Sequence, residues 1–359
     1  MRIAIVSLFR RFGGTTGDMV QAQKTADALC AEGVDVLRCY VDCNGTLFDE
    51  IGEECGSWGD TLNEYDIVHV MPPIAGKNLV AFPRIKAKLA VSTVFWRSWT
   101  FMRQLHKVRG KFNSFIIKEY IRCVLAWLGI KSYSSFEVYD LLLPNSEDEI
   151  RTFDKFCRRK KGSVIRAVPN AIDPIPDFVD TLGIPVDVKD FVGGYVLVPG
   201  VFADRKNQIS LVHAMRNSKI PIVFMGNGEF LERCKSDGGE NMRFVPFQKH
   251  GSESFYAYFK YAKVVCLPSN CETPGIAGLE GAALGARPVV PYEGGTTEYY
   301  GWDAEYLNPL SEKSIRESIE RAWARGKLTE EESEKYRRLT WDVCAKSTRE
   351  AYEIALKGR

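Results

Sequence analysis

Apolar residues along this chain gather in short runs, and stretches of helical length with an amphipathic pattern separate them. The first run, Arg2-Ile3-Ala4-Ile5-Val6-Ser7, leads into a glycine-rich turn from Arg10 to Gly17, after which Met19, Ala22, Ala26 and Leu29 recur at helical spacing. Gly33 closes that helix and Val34-Asp35-Val36-Leu37 starts the next strand, so the chain opens as a strand, helix, strand unit. The alternation continues through Tyr65 to Pro73, Val91 to Trp96, Leu141 to Ser146 and Ser163 to Val168. A proline-punctuated, acidic connection from Pro174 to Asp190 interrupts it. It then starts again, with Tyr195 to Gly200, Ile220 to Met225, Met242 to Val245, Val264 to Pro268, Pro288 to Val290 and Ala304 to Leu307. Apolar strands alternating with helix-length segments predict parallel sheets covered on both faces. Two such series predict two doubly wound α/β domains, and 359 residues are too many for one ordinary core.

Some stretches carry local signals of their own. Ser146 stands before an acidic helix start with Glu149 three residues on, the pattern of a capping box. His69 lies within an apolar run and reads as a satisfied core histidine rather than a catalytic one. Between Arg103 and Lys131 the chain is basic and apolar together, and Ile117, Ile121, Val124, Leu125 and Leu128 form a helical stripe. Two readings stay open for it: a domain helix with a solvated basic rim, or a helix resting on an anionic membrane face.

Composition narrows the classes without choosing among them. A net charge of +2 supplies no bulk attraction for nucleic acid, so no nucleic-acid partner is expected. The ten cysteines are spread without a Cys-x2-Cys pair, and several sit in apolar stretches, which points to a reducing compartment. Cys39 and Cys43 lie close together but no histidine is near, so no zinc site is expected. No apolar run approaches the length of a membrane span and the chain opens directly into a strand, so it is expected in the cytoplasm, with contact at the inner membrane face left open.

The chemistry concentrates in Cys271-Glu272-Thr273-Pro274-Gly275-Ile276-Ala277-Gly278-Leu279-Glu280, a strand-to-helix junction. A helix beginning near Gly275 turns its first N–H groups and positive dipole end outward, beyond the strand tips, and such an end seats a phosphate. Glu280 falls on the face of Ile276 and leans back toward that end, while Glu272 approaches from the loop. Carboxylates only accept hydrogen bonds, which suits a ligand that carries hydroxyls beside its phosphates. Two ordinary surface glutamates at a helix entry are the alternative reading of the same spacing.

The stretch resembles the Glu-x7-Glu motif of the retaining nucleotide-sugar glycosyltransferases of family 4, keeping Glu272, Gly275, an aliphatic Ile276 and Glu280, with Pro274 where phenylalanine is usual. Other segments resemble that family in the same order. Gly13-Gly14 matches the glycine loop near the donor phosphates, and Pro169-Asn170-Ala171-Ile172-Asp173 the exit from the first domain. Gly200 to Asn207 is similar to the segment whose Arg and Lys clamp the donor pyrophosphate. Lys206 matches the lysine, Val201 stands at the arginine, and Arg205 is the near substitute. Gly226, in Met225-Gly226-Asn227-Gly228, and Phe247 match the turn and strand end on the nucleotide side, and Pro291 to Glu298 a Gly-Gly element. Arg97 and Ser98 occupy the place of a histidine that points at the transferred sugar.

The resemblance implies a GT-B fold, two Rossmann-like domains facing a central cleft: residues 1–178 for the acceptor, 179–340 for the nucleotide sugar, and a helix at 341–359 crossing back to the first domain. It implies hexose transfer, with retention, from a nucleotide-diphosphate sugar to a hydroxyl of a glycan, lipid-linked or small-molecule acceptor. Glu280 is then expected on the ribose, Glu272 on the donor sugar, Lys206 with the N–H groups of Gly275 and Ile276 on the diphosphate, and Arg97 or Ser98 on the acceptor side. No cofactor and no metal are expected, because Lys206 and the helix end can balance the diphosphate charge. A membrane contact through 103–131 fits a lipid-linked acceptor. A sugar-nucleotide-binding subunit without turnover and a nucleotide-sugar epimerase remain the alternatives.

Overall fold

The computed structural model describes residues 1–8, 17–71, 85–96, 114–130 and 134–358. They form two compact units, one built on Met1–Arg97, Ile117–Ala171 and Thr340–Arg359, the other on Ile172–Leu339.

The first unit contains β1 (Arg2–Leu8), α1 (Gly17–Ala31), β2 (Asp35–Val41), β3 (Thr46–Asp49), β4 (Glu54–Ser57), β5 (Ile67–Val70), β6 (Lys88–Ser92), α2 (Ser114–Trp127), β7 (Ser134–Phe136), β8 (Leu141–Leu143), α3 (Glu147–Phe156), β9 (Cys157–Arg159) and β10 (Val164–Ile165). Its main sheet runs β10-β8-β6-β5-β1-β2-β3-β4. From β10 to β2 the pairing is parallel, and β3 and β4 extend it as an antiparallel edge. Ile3, Ala4, Ile5 and Val6 of the central β1 are fully buried, as an apolar run covered on both faces must be. The two edge strands were not expected, because Thr46–Asp49 and Glu54–Ser57 are short and half polar, without an apolar run to announce them.

His69 is indeed a core residue of this unit. Its Nδ1 meets the Tyr352 hydroxyl at 2.6 Å and its Nε2 the Ser92 hydroxyl at 3.0 Å. Burial alone pushes its pKa down to about 3, so the ring is neutral. Tyr352 belongs to the C-terminal helix Trp341–Lys357, which is thereby tied to the sheet and also lies against α1, with Thr25 Oγ1 3.8 Å from Cys344 Sγ.

The capping box is only half formed, which corrects the expectation. Ser146 caps α3 by accepting from the Glu149 N–H at 3.1 Å. The Glu149 carboxylate instead accepts from the Thr93 hydroxyl at 2.6 Å, the Phe95 N–H at 2.8 Å and the Asn145 N–H at 3.0 Å. These bonds draw the chain out of line after Ser92, so the predicted strand from Val91 to Trp96 stops there.

The second unit contains β11 (Tyr195–Pro199), α4 (Gln208–Met215), β12 (Ile222–Met225), α5 (Leu231–Asp237), β13 (Met242–Val245), α6 (Glu253–Tyr261), β14 (Ala262–Cys266), α7 (Ile276–Ala283), β15 (Arg287–Pro291), α8 (Thr296–Tyr300), β16 (Glu305–Leu307), α9 (Glu312–Arg325) and α10 (Glu330–Arg337). Its six strands, all parallel, lie in the order β13-β12-β11-β14-β15-β16. In the central β11 and in β12, buried apolar residues alternate between the two faces. Val196, Val198, Val264 and Val289 pack with α4 and α9, whereas Tyr195, Leu197, Val223 and Val265 pack with α6. The proline-rich connection folds onto this second core, where Val179, Val188 and Phe191 are buried.

Candidate active site

In a parallel sheet of this order, β11 and β14 are neighbours and successive strands run outward from them in opposite directions. The loops after these two strands leave the sheet where the strand order reverses, beyond the carboxyl ends where ligands of doubly wound folds bind. Both loops have unusual backbone requirements. Asn207, after β11, is left-handed at φ 54° and is the one residue other than glycine with positive φ among the described residues. Its buried amide nitrogen donates to Pro268 O at 3.0 Å and Pro309 O at 3.1 Å, and the Ser210 hydroxyl donates to its Oδ1 at 2.7 Å. From the other loop, the Asn270 N–H donates to Arg205 O at 3.0 Å. Two asparagines thus stitch the two loops together.

Lys206 and Glu272 meet there. Lys206 ends a short 3-10 turn, Asp204–Lys206, and its Nζ lies 2.6 Å from Glu272 Oε1. Glu272 is 5 % exposed. Burial pushes its carboxyl up, but the Lys206 ammonium and the Arg205 guanidinium outweigh this and hold it below the ordinary carboxylate value. The Glu272 backbone is pressed from below by the loop after β15. Its N–H donates to Glu293 O at 3.3 Å, and a Cβ on Gly294, at φ 107°, would come within 2.0 Å of Glu272 O.

The expected helix starts where the sequence placed it, with Gly275 at φ 90° as the N-cap of α7. A Cβ on Gly275 would meet Leu267 Cδ1 at 2.6 Å and Glu272 Oε2 at 3.2 Å, so the second carboxylate oxygen lies at the helix mouth. The buried Tyr300 hydroxyl donates to Gly275 O at 3.1 Å and fixes this turn from behind. A lysine, a carboxylate and a helix N-terminus at one place can hold a phosphate and a hydroxyl side by side.

Glu280, also buried, has a partner that the sequence reading did not single out. Its Oε1 bonds His250 Nε2, and His250 Nδ1 faces Asp173 Oδ2 at 3.7 Å. His250 is a solitary histidine in the loop after β13, and nothing in its local pattern marks it. The two glutamates thus engage different bases, Glu272 with Lys206 and Glu280 with His250. Gly226, at φ 152°, brings the loop after β12 onto the loop after β11, since a Cβ there would lie 2.2 Å from Gly200 O. Arg205 is exposed, and Phe247 is exposed beyond β13. Gly13, Gly14, Arg97 and Ser98 lie outside the described residues.

Residues 193–337 match the family model of the glycosyl transferases, group 1. That span of the group 1 glycosyl transferases model takes in every strand of the second sheet and Lys206, His250, Glu272 and Glu280. A search of curated protein sequences returns no match. Solved structures resemble the whole chain at low identity. A sucrose-phosphate synthase from Thermosynechococcus elongatus has a TM-score of 0.67 at 16% identity, covering 100% of both chains. The lipopolysaccharide outer core galactosyltransferase WaaB in its apo form has a TM-score of 0.64 at 12% identity, covering 98% of this chain and 99% of its own. A UDP-forming α,α-trehalose-phosphate synthase from Burkholderia vietnamiensis has a TM-score of 0.63 at 13% identity, covering 99% of this chain and 100% of its own. The fold, two parallel-sheet α/β domains, is that of the GT-B glycosyltransferases.

Proposed function

We propose that this protein is a retaining glycosyltransferase that moves a hexose from a nucleotide-diphosphate sugar to a hydroxyl acceptor. The observation that carries this reading is the buried contact of Lys206 with Glu272 beside the start of α7, at the point where the order of strands reverses. In this reading Lys206 and the N–H groups of Gly275 and Ile276 take the diphosphate, Glu272 accepts from hydroxyls of the donor sugar, and Glu280 accepts from the ribose. The bond from the anomeric carbon to the diphosphate oxygen breaks while the acceptor oxygen bonds that carbon on the same face. The acceptor proton passes to an oxygen of the leaving diphosphate, so the charge that grows there is what Lys206 and the helix end stabilise. Removing such a group costs roughly 3 kcal/mol of barrier when it acts in the transition state. The group 1 match over residues 193–337 supports the reading. So does the likeness to a trehalose-phosphate synthase described as UDP-forming.

The decisive experiment offers UDP-, GDP- and ADP-hexoses to the protein and measures release of nucleoside diphosphate with an acceptor panel. Turnover with one donor, lost in Glu272→Ala, is the expected result. Thermal stabilisation by a donor without any release would instead identify a sugar-nucleotide-binding subunit.

A second observation favours a membrane-bound acceptor. The apolar stripe of α2 faces outward: Ile117 is 42 % exposed, Ile121 52 % and Trp127 54 %. Cys123 and Ala126 of the same helix are buried, and Lys118 and Arg122 are exposed. An outward apolar row beside basic residues matches an anionic bilayer surface. Among the described residues no helix is long and apolar enough to cross a membrane.

A further inference from the structure

Glu280 is 6 % exposed, and a carboxylate so placed needs a fixed partner. That partner is His250, and its attachment is more elaborate than a chance surface contact. Three separate segments supply the cluster: Asp173 precedes the second sheet, His250 follows β13, and Glu280 lies on α7. The imidazole is also packed against Phe255 of α6, with ring centroids 5.0 Å apart and planes tilted by 58°. Each ring nitrogen therefore faces one carboxylate while the ring face is held by an aromatic neighbour. Tyr256, next along α6, has its phenol pushed up to about 12 by burial and by the charges of Asp173 and Glu280, so it stays protonated beside the cluster. Oε1 of Glu280 is occupied by His250, whereas Oε2 makes no hydrogen bond among the described residues.

We propose that His250, backed by Asp173, is a positioning residue that fixes the Glu280 carboxylate so that Oε2 is presented to the ribose hydroxyls of a nucleoside diphosphate. The inference rests on the reading of Glu280 as the ribose residue and adds what makes that glutamate competent. A glutamate side chain has three rotatable torsions, and a carboxylate that swings cannot accept two neighbouring hydroxyls at once. His250 removes that freedom from outside the helix, and Asp173 removes the freedom of His250 in turn. The arrangement follows the general way in which an outer partner orients the group that touches the ligand.

The test is calorimetric titration of the full chain with UDP, GDP and ADP, and with the 2′,3′-dideoxy form of whichever binds best. His250→Ala is expected to weaken binding of the ribonucleotide roughly tenfold, the size of one hydrogen bond to a charged group, while leaving the dideoxy nucleotide bound as in the unaltered protein. His250→Gln, which keeps a side-chain N–H donor, restores most of the loss, and Asp173→Asn shows a smaller loss of the same selectivity. Equal losses for both nucleotides in His250→Ala, or no loss in either, overturn the proposal. Glu280→Ala separates the two levels. If it removes the ribonucleotide preference and His250→Ala does not, the positioning role falls and the ribose reading stands. If Glu280→Ala keeps the preference, both fall together. Should His250→Ala fail to fold, Asp173→Asn decides: a loss confined to the ribonucleotide supports the role, and any other pattern removes it.

Discussion

Replacing Lys206 by methionine isolates the interaction at the centre of the site. The substitution keeps most of the side-chain volume and removes the charge, leaving the buried Glu272 carboxylate without the ammonium at 2.6 Å. Breaking a buried ion pair from one side costs about 3–5 kcal/mol, and since Lys206 keeps partial solvent contact and Arg205 also faces Glu272, the lower end, about 3 kcal/mol, applies. For a domain of this size each kcal/mol moves the melting temperature by roughly 2–4 °C, so the second unit should melt about 6–12 °C lower. Lys206→Met with Glu272→Gln removes both charges and should recover most of the loss, a coupling of about 2 kcal/mol. Differential scanning calorimetry, with the fluorescence of Trp302 and Trp323 to assign the transition, measures both. The pH dependence adds a second check. Because Glu272 titrates below the ordinary carboxylate value, its ionised form stabilises the fold above the unfolded-state value and the benefit disappears as pH falls through the depressed one. The gap between the unaltered protein and Lys206→Met should thus be widest near neutrality and close in acid. A Lys206→Met protein that melts at the original temperature or higher, without coupling to Glu272→Gln, would show the lysine to be a tolerated burden rather than a partner of Glu272.

Other substitutions test other parts of the description. Gly294→Ala forces a Cβ to within 2.0 Å of Glu272 O, where neither backbone can yield, and should lower the stability of the second unit by more than about 3 kcal/mol in urea unfolding. Burial raises Glu149 from 4.5 to about 7 despite its three donors, so its contribution to stability is complete below pH 4.5 and is lost as pH rises to about 7, by at most about 3 kcal/mol. Because the buried His69, held near 3, gains stability over the same interval, the readout is the difference: from pH 4.5 to about 7 the unfolding free energy of Glu149→Gln should rise relative to that of the unaltered protein by up to about 3 kcal/mol. Ile117→Ser with Ile121→Ser should reduce sedimentation with vesicles containing phosphatidylserine at least severalfold without lowering the melting temperature; a large drop in melting temperature would show the row to be core.

The sheets were legible because their strands are continuous apolar runs, such as Val264-Val265-Cys266, whose burial on both faces leaves a plain pattern. The edge strands β3 and β4 were not, since a half-exposed strand of four residues has no such pattern. The helix start at Gly275 could be read from its own neighbourhood, and the structure adds why glycine stands there, between Leu267 and Glu272 Oε2. The partner of Glu272 could not be read that way: Lys206 lies 66 residues away, and only the crossing of chain order between β11 and β14 brings them together. His250 and Asp173 are more hidden still, because each is unremarkable in its own segment and acquires meaning only from Glu280. Glu149 shows the opposite failure, a local signal that matched its pattern while its carboxylate was engaged by more distant donors at Thr93 and Phe95.

The left-handed joint at Asn207 has a thermodynamic corollary. Its carboxamide spans two carbonyls of distant segments, so the chain after β11 and the chain after β14 move as one plate rather than as two independent fingers. Segments already immobilised in the empty protein surrender little motional freedom when something docks on them, and correspondingly more of the contact energy survives as affinity. Replacing Asn207 by glycine would preserve the turn and lose the rivet, and the resulting penalty would appear as a less favourable binding entropy.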